Sequence, residues 1–211
     1  MKISKHRLIS GVPSIARPEV SPRRSKEART PSAYWTIWVL AGGKSSRMGR
    51  DKATITIAGR TLLQHVRASA AETGRSVRTV RHDAIPSCGP LSGIFTGLQR
   101  ARSGWCLFLP CDMPLITPRL LREVMKRVAA AGRPVFLRTA RGFGFPLALP
   151  TAALANVLRV IESGTPSLQR LAKQLRVVGL ELPAQRQSEL MNANLPVDLV
   201  GLQTLLVARA G

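Results

Sequence analysis

Two short runs constrain the fold most: residues 35–41, Trp-Thr-Ile-Trp-Val-Leu-Ala, and residues 105–109, Trp-Cys-Leu-Phe-Leu, are almost wholly apolar and are halted by Gly42-Gly43 and by Pro110. A strand apolar on both faces must be covered on both, which a sheet with one wet face cannot provide. Around these runs the pattern turns helical. Leu62, Leu63 and Val66 follow Thr61, a helix over 91–101 follows the turn Cys88-Gly89-Pro90, and Leu120, Leu121, Val124, Met125 and Val128 lie between Thr117-Pro118 and Gly132. A brief strand is predicted near 77–80, further strands at 134–138 and 144–149, and helices beyond Thr151, Ser167 and Pro196. This alternation predicts an α/β fold with a doubly wound, mostly parallel sheet covered by helices on both faces, a three-layer α/β/α arrangement.

Residues 1–33 break the pattern. They carry Pro13, Pro18, Pro22 and Pro31, hold 8 of the 32 Lys and Arg residues, and show no periodicity. A disordered basic N-terminal extension is expected there, with a misassigned start or a weak targeting segment as the alternatives, and one domain over 34–211. No apolar run approaches the roughly 20 residues that cross a bilayer, so a membrane-spanning chain is excluded on length. The three cysteines, Cys88, Cys106 and Cys111, form no Cys-x-x-Cys pair and have no nearby histidine to complete a zinc site. Reduced, buried thiols in a cytoplasmic protein are the expectation. The net charge of +21 invites a nucleic-acid reading, but only 4% of residues are aromatic and the arginines are scattered singly, so a solvated basic surface without a specific nucleic-acid site is expected.

Ligands bind a doubly wound sheet beyond the carboxyl ends of its strands, so those positions carry the chemistry. After the first run come Gly42, Gly43 and Gly49, which let backbone amides approach an anion, with Lys44, Arg47 and Lys52 adding charge. This is a phosphate-cradling loop. It has neither the Gly-Lys-Ser/Thr ending of a P-loop nor the Gly-x-Gly-x-x-Gly spacing of a dinucleotide site. The chain has only four aspartates, Asp51, Asp83, Asp112 and Asp198. Asp112 follows the second apolar run and is the best Mg²⁺ ligand, since that ion takes one or two carboxylates and completes its coordination with phosphate oxygens and water.

These residues resemble the molybdenum cofactor guanylyltransferases. Leu40-Ala-Gly-Gly-x-Ser-x-Arg47-Met-Gly-x-Asp-Lys52 is similar to the signature loop of that family, and Gly89-Pro-Leu-Ser-Gly-Ile94, Cys111-Asp-Met-Pro114 and Asn192-x-Asn-x-Pro-x-Asp-Leu199 resemble its later motifs in the same order. The resemblance implies the Rossmann-like nucleotidyltransferase fold and transfer of GMP from GTP to molybdopterin with release of pyrophosphate. It implies that Leu40, Ala41, Gly42, Gly43 and Asp83 contact the nucleotide, that Arg47 and Lys52 serve its phosphates, and that Asp112 holds Mg²⁺. Asn192 and Asn194 fall on the molybdopterin side, and transient contacts with cofactor-delivering or molybdoenzyme proteins are expected. Gly42-Gly43 favours guanine, because molybdopterin cytidylyltransferases typically carry Ala-Gly there.

One departure stands out. Before Asp83 the family has an additional strand and helix with a nucleotide-contacting Asn, whereas this chain offers only residues 72–82. Either one segment substitutes for two strands, or nucleotide selectivity is altered. The alternatives to GMP transfer are therefore a cytidylyl- or other nucleotidyltransferase of the same fold and a non-catalytic nucleotide-binding relative.

Overall fold

The computed structural model describes residues 34–42, 51–102 and 104–210. The basic extension expected over 1–33, and Gly43, Lys44, Arg47 and Gly49 of the phosphate loop, lie outside these residues. The described residues open with β1 (Trp35–Leu40), a tight hairpin of β2 (Thr56–Ile57) and β3 (Arg60–Thr61), α1 (Leu62–Ala71) and β4 (Ser76–Val80). Then come α2 (Pro90–Arg100), β5 (Trp105–Pro110), α3 (Pro118–Ala131), β6 (Val135–Thr139) and β7 (Gly142–Pro150). α4 (Leu154–Glu162), α5 (Leu168–Leu175), β8 (Val178–Leu180) and α6 (Pro196–Ala210) complete it.

Six strands form one sheet in the order β4-β1-β5-β7-β6-β8. β4, β1 and β5 pair in parallel, as do β6 and β8, while β7 runs antiparallel to both neighbours. The mostly parallel expectation therefore holds, with one reversed strand. Only Ala140 and Arg141 separate β6 from β7, and so short a link permits nothing but a hairpin. β4 and β8 are the two edges, and β4 is the one strand that residues 72–82 supply to this sheet.

Side chains alternate across β1: Ile37 and Val39 join α1 and α3 in one core layer, and Trp38 joins α2, α4 and α5 in the other. The sheet is thus covered on both faces, as its apolar strands require. Local signals set the helix ends. The Thr61 side chain accepts from Gln64 N and the Gln64 side chain answers the Thr61 amide, a reciprocal capping pair, while Thr117 caps α3 ahead of Pro118 and Gly132 closes it with φ 62°. α6 buries Leu202 with Ile57, Leu62, Leu115 and Ala193 in a third, smaller cluster.

α2 lies unusually close to the sheet. A Cβ at Gly97 would stand 2.7 Å from Cε1 of Phe108 and 3.2 Å from Cγ of Trp38, both buried rings. Gly97→Ala is therefore expected to lower unfolding free energy by about 1–3 kcal/mol, the usual cost of overpacking. Chemical denaturation reads this directly, and wild-type stability in the variant would show that α2 can ride outward freely.

Candidate active site

The sheet divides between β1 and β5: from β1 the chain moves outward through α1 to β4, then returns through α2, on the opposite face, to β5. Carboxyl ends at such a division open a crevice. An open cleft of about 840 Å³ lies there, bordered by Leu40, Ala41 and Gly42 after β1, by Arg81, His82 and Asp83 after β4, and by Pro110, Cys111 and Asp112 after β5. Main-chain bonds lock the three strand ends together, with Ala41 N donating to Val80 O at 2.8 Å and Cys111 N to Leu40 O at 3.0 Å.

Asp51 and Lys52 re-enter beside these ends. Asp51 caps a single 3-10 turn, Lys52–Thr54, by accepting from Ala53 N at 3.0 Å, which aligns the following lysine. Lys52 Nζ then donates to Asp112 Oδ2 at 3.0 Å and to Asn194 Oδ1 at 2.7 Å. The structure thus joins the end of the phosphate loop, the acid after β5 and the C-terminal Asn-x-Asn segment around one ammonium. Asn194 is held in turn by its neighbours: Ala193 N donates to Asp112 O at 2.8 Å, and Asp198 Oδ2 accepts from the amides of Asn194 and Leu195. Asn192 and Asn194 are both exposed, and neither borders the cleft, Asn194 reaching it only through its bond to Lys52.

Gly42 and Asp83 come together directly. A Cβ on Gly42 would stand 3.0 Å from Arg81 O and 3.3 Å from Asp83 Oδ1, so a side chain there would press the two crest loops apart by a few tenths of an ångström. Burial pushes the Asp83 carboxyl above its ordinary value, and neighbouring His82 opposes the rise. The loop carrying it is pinned to α2 from below, since Thr96 Oγ1 accepts from Ala84 N at 2.9 Å and Ser92 Oγ from Cys88 N at 3.1 Å. Ser92 and Thr96 are buried, and the Thr96 hydroxyl donates a hydrogen bond to Ser92 O. Cys111 borders the cleft, yet burial, with the Asp112 and Asp51 carboxylates adding to it, pushes its thiol up to about 12. At neutral pH it is a protonated packing group and no nucleophile.

Sequence reasoning missed Arg81, His82 and Thr96, and quoted Ser92 only within the Gly89-Pro-Leu-Ser-Gly-Ile94 motif, with no role of its own. The rule applied after the first and second apolar runs, to look just beyond each strand, points to Arg81 and His82 when it is applied to β4 as well. Nothing local gives Ser92 or Thr96 its role, because that role depends on the 84–88 loop that bonds back to them.

A partly buried ion network ties α3 to the segment before the Asn-x-Asn motif. Arg186 donates to both oxygens of Glu123 on α3, at 2.9 and 2.8 Å, and through Nε to Glu189 Oε1 at 2.5 Å, while the Thr117 hydroxyl donates to Glu189 Oε2. Burial alone would raise the Glu123 carboxyl, but hydrogen bonds and charge from Arg186 and Arg119 outweigh it and hold the group below its ordinary 4.5. A depressed carboxylate contributes stability that is complete above 4.5 and disappears as pH falls through the lowered value. The stability gap between the wild type and Glu123→Gln should therefore be widest at neutral pH and close on acidification, as followed by urea unfolding across pH. A gap independent of pH would contradict the pairing.

A crevice where a doubly wound sheet divides, bordered by a lysine paired with a carboxylate, lies where ligands enter folds of this kind. The chain belongs to the MobA-like NTP transferase family, whose domain model matches residues 37–178. It is 33% identical over 199 residues to the molybdenum cofactor guanylyltransferase of Pseudomonas putida, covering 82% of this chain and 98% of that protein. The fold matches the crystal structure of molybdopterin-guanine dinucleotide biosynthesis protein A from Archaeoglobus fulgidus at TM-score 0.67 and 20% identity, over 82% of this chain and 99% of that one. A weaker likeness, TM-score 0.51 at 18% identity over 71% and 89% of the two chains, is to Rv0371c from Mycobacterium tuberculosis, crystallised as a complex with manganese.

Proposed function

We propose that this chain transfers GMP from GTP to the terminal phosphate of molybdopterin, releasing pyrophosphate and forming the guanine dinucleotide cofactor. The observation that carries the reading is the meeting of Lys52, Asp112 and Asn194 at the carboxyl ends of β1 and β5, in a chain one-third identical to a molybdenum cofactor guanylyltransferase. A phosphate oxygen of molybdopterin attacks the α-phosphorus of GTP. A new P–O bond forms as the bond to the oxygen bridging the α- and β-phosphates breaks, and pyrophosphate leaves with that electron pair. Nucleophile and leaving group are both anionic, so the protein's work is charge neutralisation and alignment.

Among the described residues no group of three or more His, Cys, Asp or Glu could cage a metal by itself. That suits Mg²⁺, which keeps waters and substrate phosphates in its coordination and needs only one or two carboxylates. Asp112 borders the cleft with a fifth of its side chain exposed, and it offers the hard oxygen donor such an ion takes. Mg²⁺ supplies charge neutralisation on the phosphate oxygens when bound. Lys52 and Arg47 bind the triphosphate, Leu40, Ala41, Gly42 and Gly43 line the nucleotide with backbone groups, and Asp83 holds its nucleoside part. Asn194, with Asn192, belongs to the molybdopterin side, and there a protein that delivers or receives the cofactor makes transient contact.

Thermal shift with GTP, CTP, ATP and UTP, each with Mg²⁺, tests the nucleotide assignment, since a ligand that binds only the folded chain raises its apparent stability. GTP is expected to give the largest shift. A larger shift with CTP would reassign the base, and no shift with any nucleotide would leave the crest without its ligand.

A further inference from the structure

The opposite end of the sheet carries a second cleft, of about 350 Å³. It is bordered by the start of β1 at Trp35, the start of β4 at Ser76 and the end of α2 at Arg100, the ends of those elements remote from Leu40, Arg81 and Pro90 on the crest. Arg75, Arg78, Arg100 and Arg102 converge on it from the turn after α1, from β4, and from α2 with the residues that follow. Among the described residues no acidic side chain borders the cleft, and none of these arginines makes a hydrogen bond or ion pair with another described residue. The Arg78 guanidinium carbon lies 5.8 Å from the centroid of the buried Trp38 ring.

β4 is an edge strand, and charge on an edge strand guards it against pairing with other chains. That accounts for Arg78 alone. Arg100 ends α2 and Arg102 follows it, neither of them on β4, yet they border the same hollow. Guanidinium groups gathered without a carboxylate repel one another, and their planar donor forks match phosphate oxygens two at a time. The cleft falls at the lower end of the range for small-molecule sites, too small for an extended strand of nucleic acid.

We propose that this second cleft binds a small, multiply charged phosphate anion of the polyphosphate or diphosphate-ester class, independently of the crest. The tryptophans give it a private signal. The chain has three, of which Trp35 and Trp38 border this cleft and Trp105 stacks on Trp35 at 5.9 Å, while none borders the crest.

Titrating inorganic tripolyphosphate into the full chain at constant ionic strength should give a saturable change in tryptophan fluorescence. The Arg75→Ala, Arg100→Ala double variant alters two exposed side chains, neither of them over a tryptophan ring, and should raise the midpoint at least about tenfold, 1.4 kcal/mol of binding, with unchanged circular dichroism. Lys52→Ala should leave the midpoint where it was, so failure of the crest assignment would not be mistaken for failure of this one. The proposal is overturned by a non-saturating titration, by equal midpoints in wild type and the double arginine variant, or by loss of the signal in Lys52→Ala. It is also overturned if a single-stranded oligonucleotide gives the arginine-dependent signal and tripolyphosphate does not.

Discussion

Asp112→Ala should reduce guanylyl transfer below detection, at least about a thousandfold, while the chain still folds. The main chain at this position is held without the carboxylate. Cys111 N bonds to Leu40 O and Asp112 O accepts from Ala193 N, so the crest keeps its path when the side chain is removed. The ion pair lost with Lys52 is partly exposed on both sides, at 20%, and such pairs contribute no more than about 1 kcal/mol to stability. The variant should therefore unfold within about that margin of the wild type and lose the extra thermal shift that Mg²⁺ adds to GTP. Full turnover in Asp112→Ala would exclude it as the metal ligand.

Lys52→Ala should cost about 2–4 kcal/mol of transition-state stabilisation, seen as a fall in kcat of roughly two to three orders of magnitude. Its ammonium already stands against Asp112 and Asn194. Negative charge spreading over the α- and β-phosphates as pyrophosphate departs gives that ammonium a stronger partner in the transition state than in the ground state. The effect should therefore fall on kcat more than on KM for GTP. A change confined to KM would make Lys52 a binding residue only.

Much of this was legible in residue order because it rests on local chemistry. The apolar runs of β1 and β5 demanded cover on both faces, and the Thr61, Thr117 and Gly132 signals marked helix ends where they occur. The rule that ligands gather beyond strand ends brought Lys52 and Asp112, 60 positions apart, into one expected site, and they meet at 3.0 Å. Strand direction was not legible from apolar pattern, since β7 reads as apolar whichever way it runs. β8 and the β2–β3 hairpin escaped notice because strands of three and two residues are too short to show a period. Nothing in residue order sets Gly97 apart within its helix, and it is the Phe108 ring from another element that makes its missing side chain necessary. The Arg186 network joins α3 to a segment 63 positions later, a pairing that no local pattern encodes.

The most direct test of the account is pyrophosphate release by the intact wild-type chain with Mg²⁺ and molybdopterin, measured with GTP and then with CTP. The account predicts release that requires molybdopterin and is faster with GTP by at least about tenfold in kcat/KM, or 1.4 kcal/mol. Release that matches or favours CTP, or no release from GTP, would contradict it.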